Sequence, residues 1–213
     1  MEYFSKNIFI EVTHWISDRL LDNPVMFNYI RYLLAGKQKG IRKFINTYLE
    51  KYNCKSIADF CCGTGDFAVC IPNNASYIGL DMNKDFINYS KNRFKNEKNK
   101  KFIKANVISS KYIYERKFDG ILLISTLHHL SDNELLILLP RIKKITRKMV
   151  IIADIIPNPP HLLQKFFAKI DRGRYVRPKE EKLRILKKYF KIVKTQMIPT
   201  KTAVQFGIVC LPK

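Results

Sequence analysis

The sequence predicts an α/β protein in which seven strands form a mainly parallel sheet with helices on both faces. From Lys55 onward, short apolar runs typical of buried strands alternate with helical stretches, as expected of parallel strands joined by right-handed crossovers. The last two apolar runs, 191–199 and 203–211, follow each other closely and predict a C-terminal antiparallel hairpin. Because 213 residues suit one sizeable core, the whole chain, 1–213, is predicted to be a single domain.

The segment 1–54 is predicted to be a helical lid that precedes the sheet. Its first helix carries Trp15 on an apolar face at helical spacing, which indicates packing against the rest of the protein. Pro24 suits the first turn of a second helix that ends at Gly36, and a third helix is predicted over 39–52. Candidate ligand contacts on this lid are Tyr29, Tyr32 and Arg42.

The core, 55–213, begins with five strands that take turns with helices. Its strands are predicted at 56–60, 76–80, 101–107, 118–124 and 148–156, and its helices at 64–71, 83–94 and 132–145. After Pro157 an inserted segment, 157–178, interrupts the alternation, and we expect this segment to determine substrate specificity. Ligands of such sheets bind beyond the carboxyl ends of the strands, so we look for a site in the loops that begin there.

The net charge of +21 is large for a chain of this length. A basic field attracts nucleic acid, anionic membrane surfaces and acidic small molecules. The basic residues are spread over the whole chain, however, which favours a solvated basic surface over a dedicated partner surface. Nucleic acid is therefore an open but not a favoured partner.

The cysteines indicate reduced thiols. Their number, five, is odd, and the N-terminus lacks the basic start and apolar core of a signal peptide. Cys54 and Cys70 are predicted at opposite ends of a strand–turn–helix unit, away from the adjacent pair Cys61 and Cys62, so we expect no metal site. No apolar run reaches the roughly 18 residues that a membrane helix needs. We therefore expect a cytoplasmic protein without a membrane span.

The sequence Gly63-Thr64-Gly65 connects a predicted strand to a predicted helix. Glycines at this point let a backbone approach a ligand closely, and the N-terminus of the helix would supply free N–H groups. Together with Ala68, the segment also satisfies the Gly-x-Gly-x-x-Gly/Ala pattern of dinucleotide-binding proteins. The glycine turn therefore predicts a nucleotide-like ligand.

Two carboxylates narrow the choice of ligand. Asp81 ends the next strand, where its two oxygens could accept hydrogen bonds from a ribose diol; capping of the following helix is the alternative. Asp59 lies four residues before Gly63, where it would face a pyrophosphate unfavourably and a positively charged ligand favourably. S-adenosylmethionine is such a ligand, since it carries an ammonium, a sulfonium and a ribose but no phosphate.

With these residues, the sequence resembles the class I S-adenosylmethionine-dependent methyltransferases, which have a Rossmann-like fold. The matching motifs are "IADFCCGTGDFAV", "YIGLDMN", "FIKANV" and "FDGILLISTLHHLSDNELL". Cys61 stands where the family has its first glycine. The Cys-Cys-Gly-Thr-Gly-Asp motif and Leu-His-His-Leu together resemble the small-molecule branch of ubiquinone and menaquinone biosynthesis.

The resemblance implies a role for each matching residue. Asp59 would orient the amino group of the cofactor, Gly63 and Gly65 would line its methionine portion, and Asp81 would hold its ribose. Met82 would pack on the adenine; Asn106, for which a turn residue is the alternative, would lie near the adenine amino group with the backbone of Val107. The predicted cofactor-binding residues are Asp59, Phe60, Cys61, Gly63, Thr64, Gly65, Asp81, Met82, Asn106, Val107 and Ser125.

The residues that would bind or activate the methyl acceptor are indicated by less specific sequence patterns than those of the cofactor. His128 and His129 follow the fourth strand and are the candidate catalytic bases, because a histidine can accept a proton near neutral pH; packing of the pair and capping of the next helix are the favoured alternative. Candidate substrate-binding residues in the inserted segment are Arg172, Arg174, Tyr175 and Arg177, since three guanidinium groups could bind a carboxylate or phosphate. A basic surface loop is the alternative for these four.

The predicted function is methyl transfer from S-adenosylmethionine to an oxygen, nitrogen or carbon of a small anionic or aromatic molecule, with S-adenosylhomocysteine as the product. Three alternatives remain. The charge favours an RNA methyltransferase, although Asn158-Pro159-Pro160 follows the wrong strand to be a base-holding motif. An NAD-dependent oxidoreductase is disfavoured by Asp59 and by the closing hairpin. A cofactor-binding protein without catalysis is the third.

Overall fold

The computed structural model describes residues 22–157, 174–201 and 204–213. The helices in these ranges are α1 (Pro24–Ala35), α2 (Lys39–Lys51), α3 (Lys84–Arg93), α4 (Asp132–Ile145) and α5 (Lys179–Lys187). The strands are β1 (Ser56–Phe60), β2 (Ser76–Asp81), β3 (Lys100–Lys104), β4 (Phe118–Ile124), β5 (Thr146–Ile155), β6 (Phe190–Pro199) and β7 (Val204–Pro212).

All seven strands belong to one sheet in the order β3-β2-β1-β4-β5-β7-β6. The pairs from β3 to β5 are parallel, and β7 is antiparallel to both of its neighbours. The predicted fold class is confirmed: a Rossmann-like, mainly parallel sheet with a C-terminal antiparallel hairpin. Because β6 runs in the same direction as β5, the carboxyl ends of β1, β2, β4, β5 and β6 lie at one edge of the sheet.

Helices cover both faces of the sheet. On one face, α2 buries Ile41, Phe44, Ile45 and Leu49 against a cluster that includes Ile57 of β1 and Val209 of β7. On the other face, α4 buries Leu138, Leu139 and Ile142 against Phe60, Ile121 and Ile208. Strands buried on both faces read as continuous apolar runs, which is why β4 and β5 could be predicted from the sequence.

Local signals define the helix ends. The side chain of Asn23 accepts hydrogen bonds from the N–H groups of Val25 and Met26, and Pro24 occupies the first turn of α1. Helix α1 ends at Gly36, which has a φ of 64°. Ser131 and Glu134 form a capping box at the start of α4. The predicted capping of this helix by the two histidines is therefore wrong.

The helix predicted over 64–71 is also wrong. Only a short 3-10 turn, Ala68–Cys70, forms there, and Ile71 is already extended with a ψ of 123°. The physical reason is Pro72, which disfavours helical geometry at the residue before it. Free N–H groups from a helix start are consequently not available beside the glycine turn.

Two sets of predictions fall outside the described residues: the first helix with Trp15, and the first part of the inserted segment, including Asn158-Pro159-Pro160 and Arg172. The division of the chain into a lid and a core stays a prediction. Among the helices that the structure describes, none is both long and apolar enough to cross a membrane.

Candidate functional site

The candidate site lies at the carboxyl edge of the sheet, where β1, β2 and β4 are neighbours. The glycine turn follows β1, Asp81 ends β2, and Ser125 follows β4. Because these three strands are parallel, three loops that are distant in sequence begin side by side. The fold therefore brings together the motifs that the sequence analysis selected.

The turn after β1 has left-handed backbone geometry at three positions: Cys61 has a φ of 61°, Gly63 of 55° and Gly65 of 71°. A Cβ atom added at Gly63 would meet nothing within 4 Å, whereas one at Gly65 would lie 2.9 Å from Cε1 of Phe102. Gly63 thus borders open space, and Gly65 packs against aromatic rings. The positive φ at Cys61 also explains why the resembled family has a glycine at this position.

Asp81 joins the ends of β1 and β2. Its Oδ2 atom accepts a hydrogen bond of 2.8 Å from the backbone N–H of Gly63, and its Oδ1 atom accepts one of 2.9 Å from Asn83. Burial raises the pKa of Asp81 even though backbone N–H groups act against it. The side chain of Asn83 caps α3, so the alternative role of Asp81 as the helix cap is not what the structure shows.

Asp59 lies within the sheet, with an exposed fraction of 1%. Its Oδ2 atom accepts a hydrogen bond of 2.8 Å from the hydroxyl of Tyr77. Burial raises the pKa of Asp59 to about 7, the hydroxyl of Tyr77 opposes this, and the charge of Asp81 adds to it. Near neutral pH, the carboxyl group of Asp59 is therefore partly protonated, and a nearby positive charge would favour its ionised form.

The residues expected around the adenine differ in accessibility. Met82 has an exposed fraction of 68%, which is high for an apolar side chain. Asn106 is exposed and its Oδ1 atom accepts hydrogen bonds from the N–H groups of Ile108 and Ser109, which is the turn geometry of its alternative role. Val107 is buried.

Three further predicted cofactor residues have defined contacts. The side chain of Phe60 is buried in the core, so only its backbone can face a ligand. The hydroxyl of Thr64 donates a hydrogen bond of 2.7 Å to Asn28 of α1. Ser125 has a φ of 53°, and its hydroxyl accepts a hydrogen bond of 3.1 Å from Gln205 of β7.

Sequence reasoning missed a charge cluster beside the glycine turn. The Oδ2 atom of Asp66 lies 2.5 Å from Nη1 of Arg31 in α1 and 2.8 Å from Nη2 of Arg42 in α2. Its Oδ1 atom lies 3.7 Å from Nη1 of Arg93 in α3. Burial opposes its ionisation, but the arginines outweigh this effect and lower the pKa of Asp66. Asp66 directly follows Gly65, which could have drawn attention to it, but no local pattern shows that three distant arginines converge there.

Helix α1 is attached to the glycine turn through these contacts. Arg31 binds Asp66, and Asn28 binds Thr64. Of the lid residues that were predicted as ligand contacts, Arg42 binds Asp66 and the carbonyl of Lys37, while Tyr29 and Tyr32 are exposed. Helix α1 thus lies directly beside the turn that is expected to hold the cofactor.

The two candidate catalytic histidines have different environments. His128 is buried, and its Nδ1 atom is hydrogen-bonded to the carboxyl group of Asp154, which is buried at the end of β5. His129 is exposed, with its ring centroid 4.0 Å from that of His128. Of the two residues, His129 is the one that a molecule in solution can reach.

Arg177 has a structural position. It is 6% exposed, and its guanidinium donates to Asp132 and to the carbonyls of Leu127, Tyr175 and Leu130. These bonds use all of its donors, so the structure does not support the expected contact with a substrate. Arg174 and Tyr175 are exposed and accessible, and Arg172 lies outside the described residues.

The adjacent cysteines Cys61 and Cys62 follow β1, and each is a free thiol. Cys62 is buried against Gly79, where an added Cβ atom would come within 2.8 Å of its Sγ atom. All five cysteines are free thiols, and burial raises the pKa of both Cys61 and Cys62. In the described part of the chain, no group of three or more potential metal ligands is found.

Comparisons with known proteins agree with this geometry. Residues 57–149 match the protein-family model described as a methyltransferase domain, and this range begins in β1 and contains the glycine turn, Asp81 and both histidines. A search among curated protein sequences finds no match.

Solved structures with the same fold include several methyltransferases. The N-methyltransferase NodS from Bradyrhizobium japonicum, in complex with S-adenosylhomocysteine, superposes with a TM-score of 0.73 at 13% identity, over 94% of this chain and 98% of that one. The methyltransferase domain of bacterial CtHen1 superposes with a TM-score of 0.68 at 18% identity, over 82% of this chain and 99% of that one. Magnesium protoporphyrin IX methyltransferase from Synechocystis, with bound S-adenosylhomocysteine, superposes with a TM-score of 0.65 at 15% identity, over 82% of this chain and 84% of that one. At these identities the likeness establishes the fold.

Proposed function

We propose that the protein is an enzyme that transfers the methyl group of S-adenosylmethionine to a small-molecule acceptor. The observation that carries this proposal is the open space over Gly63, bordered by Asp81 at the end of the neighbouring strand. A backbone without a side chain at this point lets a ligand lie against the turn. The match of residues 57–149 to a methyltransferase domain supports the same reading.

The chemistry of the residues around this space fits the cofactor. The carboxylate of Asp81, which accepts backbone hydrogen bonds from Gly63 and Asn83, could also accept hydrogen bonds from the ribose hydroxyls. The exposed side chain of Met82 offers an apolar surface to the adenine. Asp59, once ionised, would complement the positive charges of the ligand. S-adenosylmethionine has no phosphate that these carboxylates would repel. A dinucleotide, by contrast, would place its pyrophosphate near them.

The charge cluster beside the turn provides for the carboxylate of the cofactor. Three arginines surround the single charge of Asp66, so positive charge is in excess. The Nε atom of Arg31 is buried and has no hydrogen-bond partner within the described part of the chain. We assign the methionine carboxylate to the side of the turn that faces Arg31, because an unpaired cation donor is stabilised by an anion.

The transfer itself requires positioning above all. A lone pair of the acceptor attacks the methyl carbon, the bond from this carbon to sulfur breaks, and the electron pair neutralises the sulfonium. The protein holds donor and acceptor in line and excludes water, which accounts for much of the rate of such reactions. When the acceptor carries a proton, His129 is the accessible base, and the bond between His128 and Asp154 fixes the neighbouring ring.

A small molecule is the proposed class of acceptor. One of the proteins with the same fold is named for a small molecule, magnesium protoporphyrin IX, so this scaffold accommodates such acceptors. The narrower resemblance to the ubiquinone and menaquinone branch rests on the motif that begins at Cys61 and on Leu127-His128-His129-Leu130, and it remains a proposal.

RNA is the second candidate acceptor, and the net charge of +21 is the observation that favours it. The experiment that separates the two uses S-adenosylmethionine labelled with tritium in the methyl group, with pooled aromatic and anionic metabolites in one reaction and total RNA in another. We expect label in the small-molecule pool, and none with the variant Gly63→Val. Label in RNA alone would contradict the proposed acceptor, and cofactor binding without any transfer would indicate a non-catalytic protein.

A further inference from the structure

A concave surface lies at the carboxyl edge of the sheet, beside the end of β6. It is a pocket of about 470 Å³ between the α1–α2 turn and the end of β6, and it is lined by Tyr32, Leu33, Ala35, Gly36, Lys37, Gln38, Lys39, Gly40, Pro199, Thr200 and Lys201. None of these eleven residues is acidic, and its three lysines are exposed. The pocket therefore has a local positive potential.

The start of α2 lies in the wall of this pocket. Lys39 and Gly40 form its first turn, and Gln38, the residue before the helix, makes no capping hydrogen bond with its side chain. The N–H groups of a first turn need partners outside the helix, and an anion is a suitable partner. Gly40 lets the helix start approach β6 closely, since an added Cβ atom would lie 2.9 Å from Cγ2 of Ile198.

Gln38 provides an independent indication of a ligand. Its exposed fraction is 8%, it lines the pocket, and its Oε1 atom is buried without a hydrogen-bond partner in the described part of the chain. A buried polar atom without a partner costs free energy, so such atoms are rare unless a ligand or water satisfies them. The amide oxygen of Gln38 therefore favours a ligand that carries a hydrogen-bond donor, while the lysines and the start of α2 favour an anionic group.

The pocket is connected to the candidate active site through Arg42. Its Nε atom donates a hydrogen bond of 2.9 Å to the carbonyl of Lys37, and its Nη2 atom binds Asp66 next to the glycine turn. Tyr32 is one residue along α1 from Arg31, which also binds Asp66. A molecule held in this pocket would thus be close to the cofactor turn.

We propose that this pocket binds the phosphate or carboxylate group of an anionic methyl acceptor. The anion would be held by Lys37, Lys39 and Lys201 together with the N–H groups at the start of α2, and a hydroxyl of the same group would donate to Gln38. The assignment of the anion to the acceptor rests on the proposed function, whereas binding of the anion does not. The reacting end of the acceptor would extend along α1 toward the glycine turn.

The test uses inorganic phosphate as the probe and the full chain without cofactor, so its outcome does not depend on methyl transfer. Phosphate is titrated while the backbone amide signals of Lys39, Gly40 and Ile41 are followed by NMR. We expect saturable shifts at these amides. The variant with Lys37, Lys39 and Lys201 all changed to Gln should bind phosphate about tenfold more weakly, as expected for the loss of charge-assisted hydrogen bonds.

The matched control changes Lys95, Lys98 and Lys101 to Gln, which removes the same charge from exposed positions near β3, at the opposite end of the sheet. It should bind phosphate as the wild type does. Gln38→Met is a second variant, which should weaken phosphate binding without lowering the free energy of unfolding, because it removes the unpaired amide.

Three results would overturn the proposal. One is the absence of saturable shifts at the start of α2. Another is equal weakening in the two lysine variants, which would mean that the overall charge attracts phosphate. The third is tight binding of a short single-stranded RNA that perturbs the lysines near β3 as strongly as the pocket, which would assign the charge to nucleic acid.

Discussion

The hydroxyl of Tyr77 donates a hydrogen bond of 2.8 Å to Oδ2 of Asp59 inside the sheet, at the point where β1 leads into the glycine turn. Burial raises the pKa of Asp59 to about 7, and the charge of Asp81 acts in the same direction. Near neutral pH, this carboxyl group would therefore lose its proton when a cation binds next to it. The positive charges of S-adenosylmethionine would favour the ionised form.

The first prediction is that cofactor affinity depends on pH through Asp59. Below about pH 7 the group is protonated in the free protein, so binding of a cationic ligand must release a proton. The dissociation constant of S-adenosylhomocysteine, whose ammonium would face Asp59, should rise as the pH falls from 8 to 6, by up to about tenfold per pH unit. Calorimetry in buffers of different ionisation enthalpy measures both the affinity and the released proton.

The control for this prediction is Asp59→Asn, which keeps an acceptor for the hydroxyl of Tyr77. The variant should bind more weakly at pH 8 and should lose the pH dependence of binding between pH 6 and 8. A wild-type affinity that stays constant over this range would contradict the role of Asp59.

A second prediction concerns the stability of the free protein. The pKa of Asp59 is about 7 in the folded state against an ordinary value of 3.8, so the unfolded state binds fewer protons between these values. The Asp59 contribution to stability is therefore fully present below pH 3.8, falls as the pH rises toward 7 and changes little above. In urea unfolding, Asp59→Asn should gain stability relative to the wild type as the pH increases from 4 to 7. An equal difference at both pH values would contradict this.

A third prediction separates the two glycines of the turn. Gly63→Ala should lower the free energy of unfolding by only about 1–2 kcal/mol, the cost of left-handed backbone, because its Cβ atom enters open space. Gly65→Ala should cost more, about 2–4 kcal/mol, because its Cβ atom also presses on Phe102. Relative to its loss of stability, Gly63→Ala should weaken cofactor binding more than Gly65→Ala does. Calorimetry on folded protein measures this affinity. Full cofactor affinity in Gly63→Ala would argue against a ligand at this turn.

Cys61→Gly is the fourth prediction. Cys61 has a φ of 61°, where glycine is unstrained. The variant should bind S-adenosylhomocysteine as the wild type does and should differ in stability by less than about 1 kcal/mol, since relief of strain offsets the greater chain entropy of glycine. Loss of binding would show that the thiol itself contacts the ligand.

The fifth prediction tests the structural position of Arg177. Lysine cannot reproduce the five donors of a guanidinium, so Arg177→Lys should lower the free energy of unfolding by about 2–4 kcal/mol. Its matched control is Arg174→Lys, which changes an exposed residue of the same segment and should leave stability unchanged. If Arg177→Lys instead kept its stability and lost only affinity for the acceptor, Arg177 would be a substrate contact.

The strands could be predicted because each leaves a local signal. Strands β4 and β5 are continuous apolar runs, and the positions of Gly63 and Asp81 follow from the strand ends that precede them. The absence of a helix at 64–71 also has a local cause, since Pro72 disfavours helical geometry at Ile71.

The contacts that define the site have no such signal. Arg31 and Asp66 are 35 residues apart, and Arg177 and Asp132 are 45 apart, so only the folded chain brings each pair together. The difference between His128 and His129 likewise depends on Asp154, which approaches through the pairing of β4 with β5. Spacing along the sequence predicts elements, whereas partners of buried charges depend on the tertiary structure.

The most direct measurement is isothermal titration calorimetry of the full chain with S-adenosylhomocysteine and, separately, with NAD. We expect saturable binding of S-adenosylhomocysteine at one site per chain, abolished by Gly63→Val in protein that remains folded, and no binding of NAD. Binding of NAD without binding of S-adenosylhomocysteine would show that the glycine turn holds a dinucleotide and would overturn the proposed methyltransferase function.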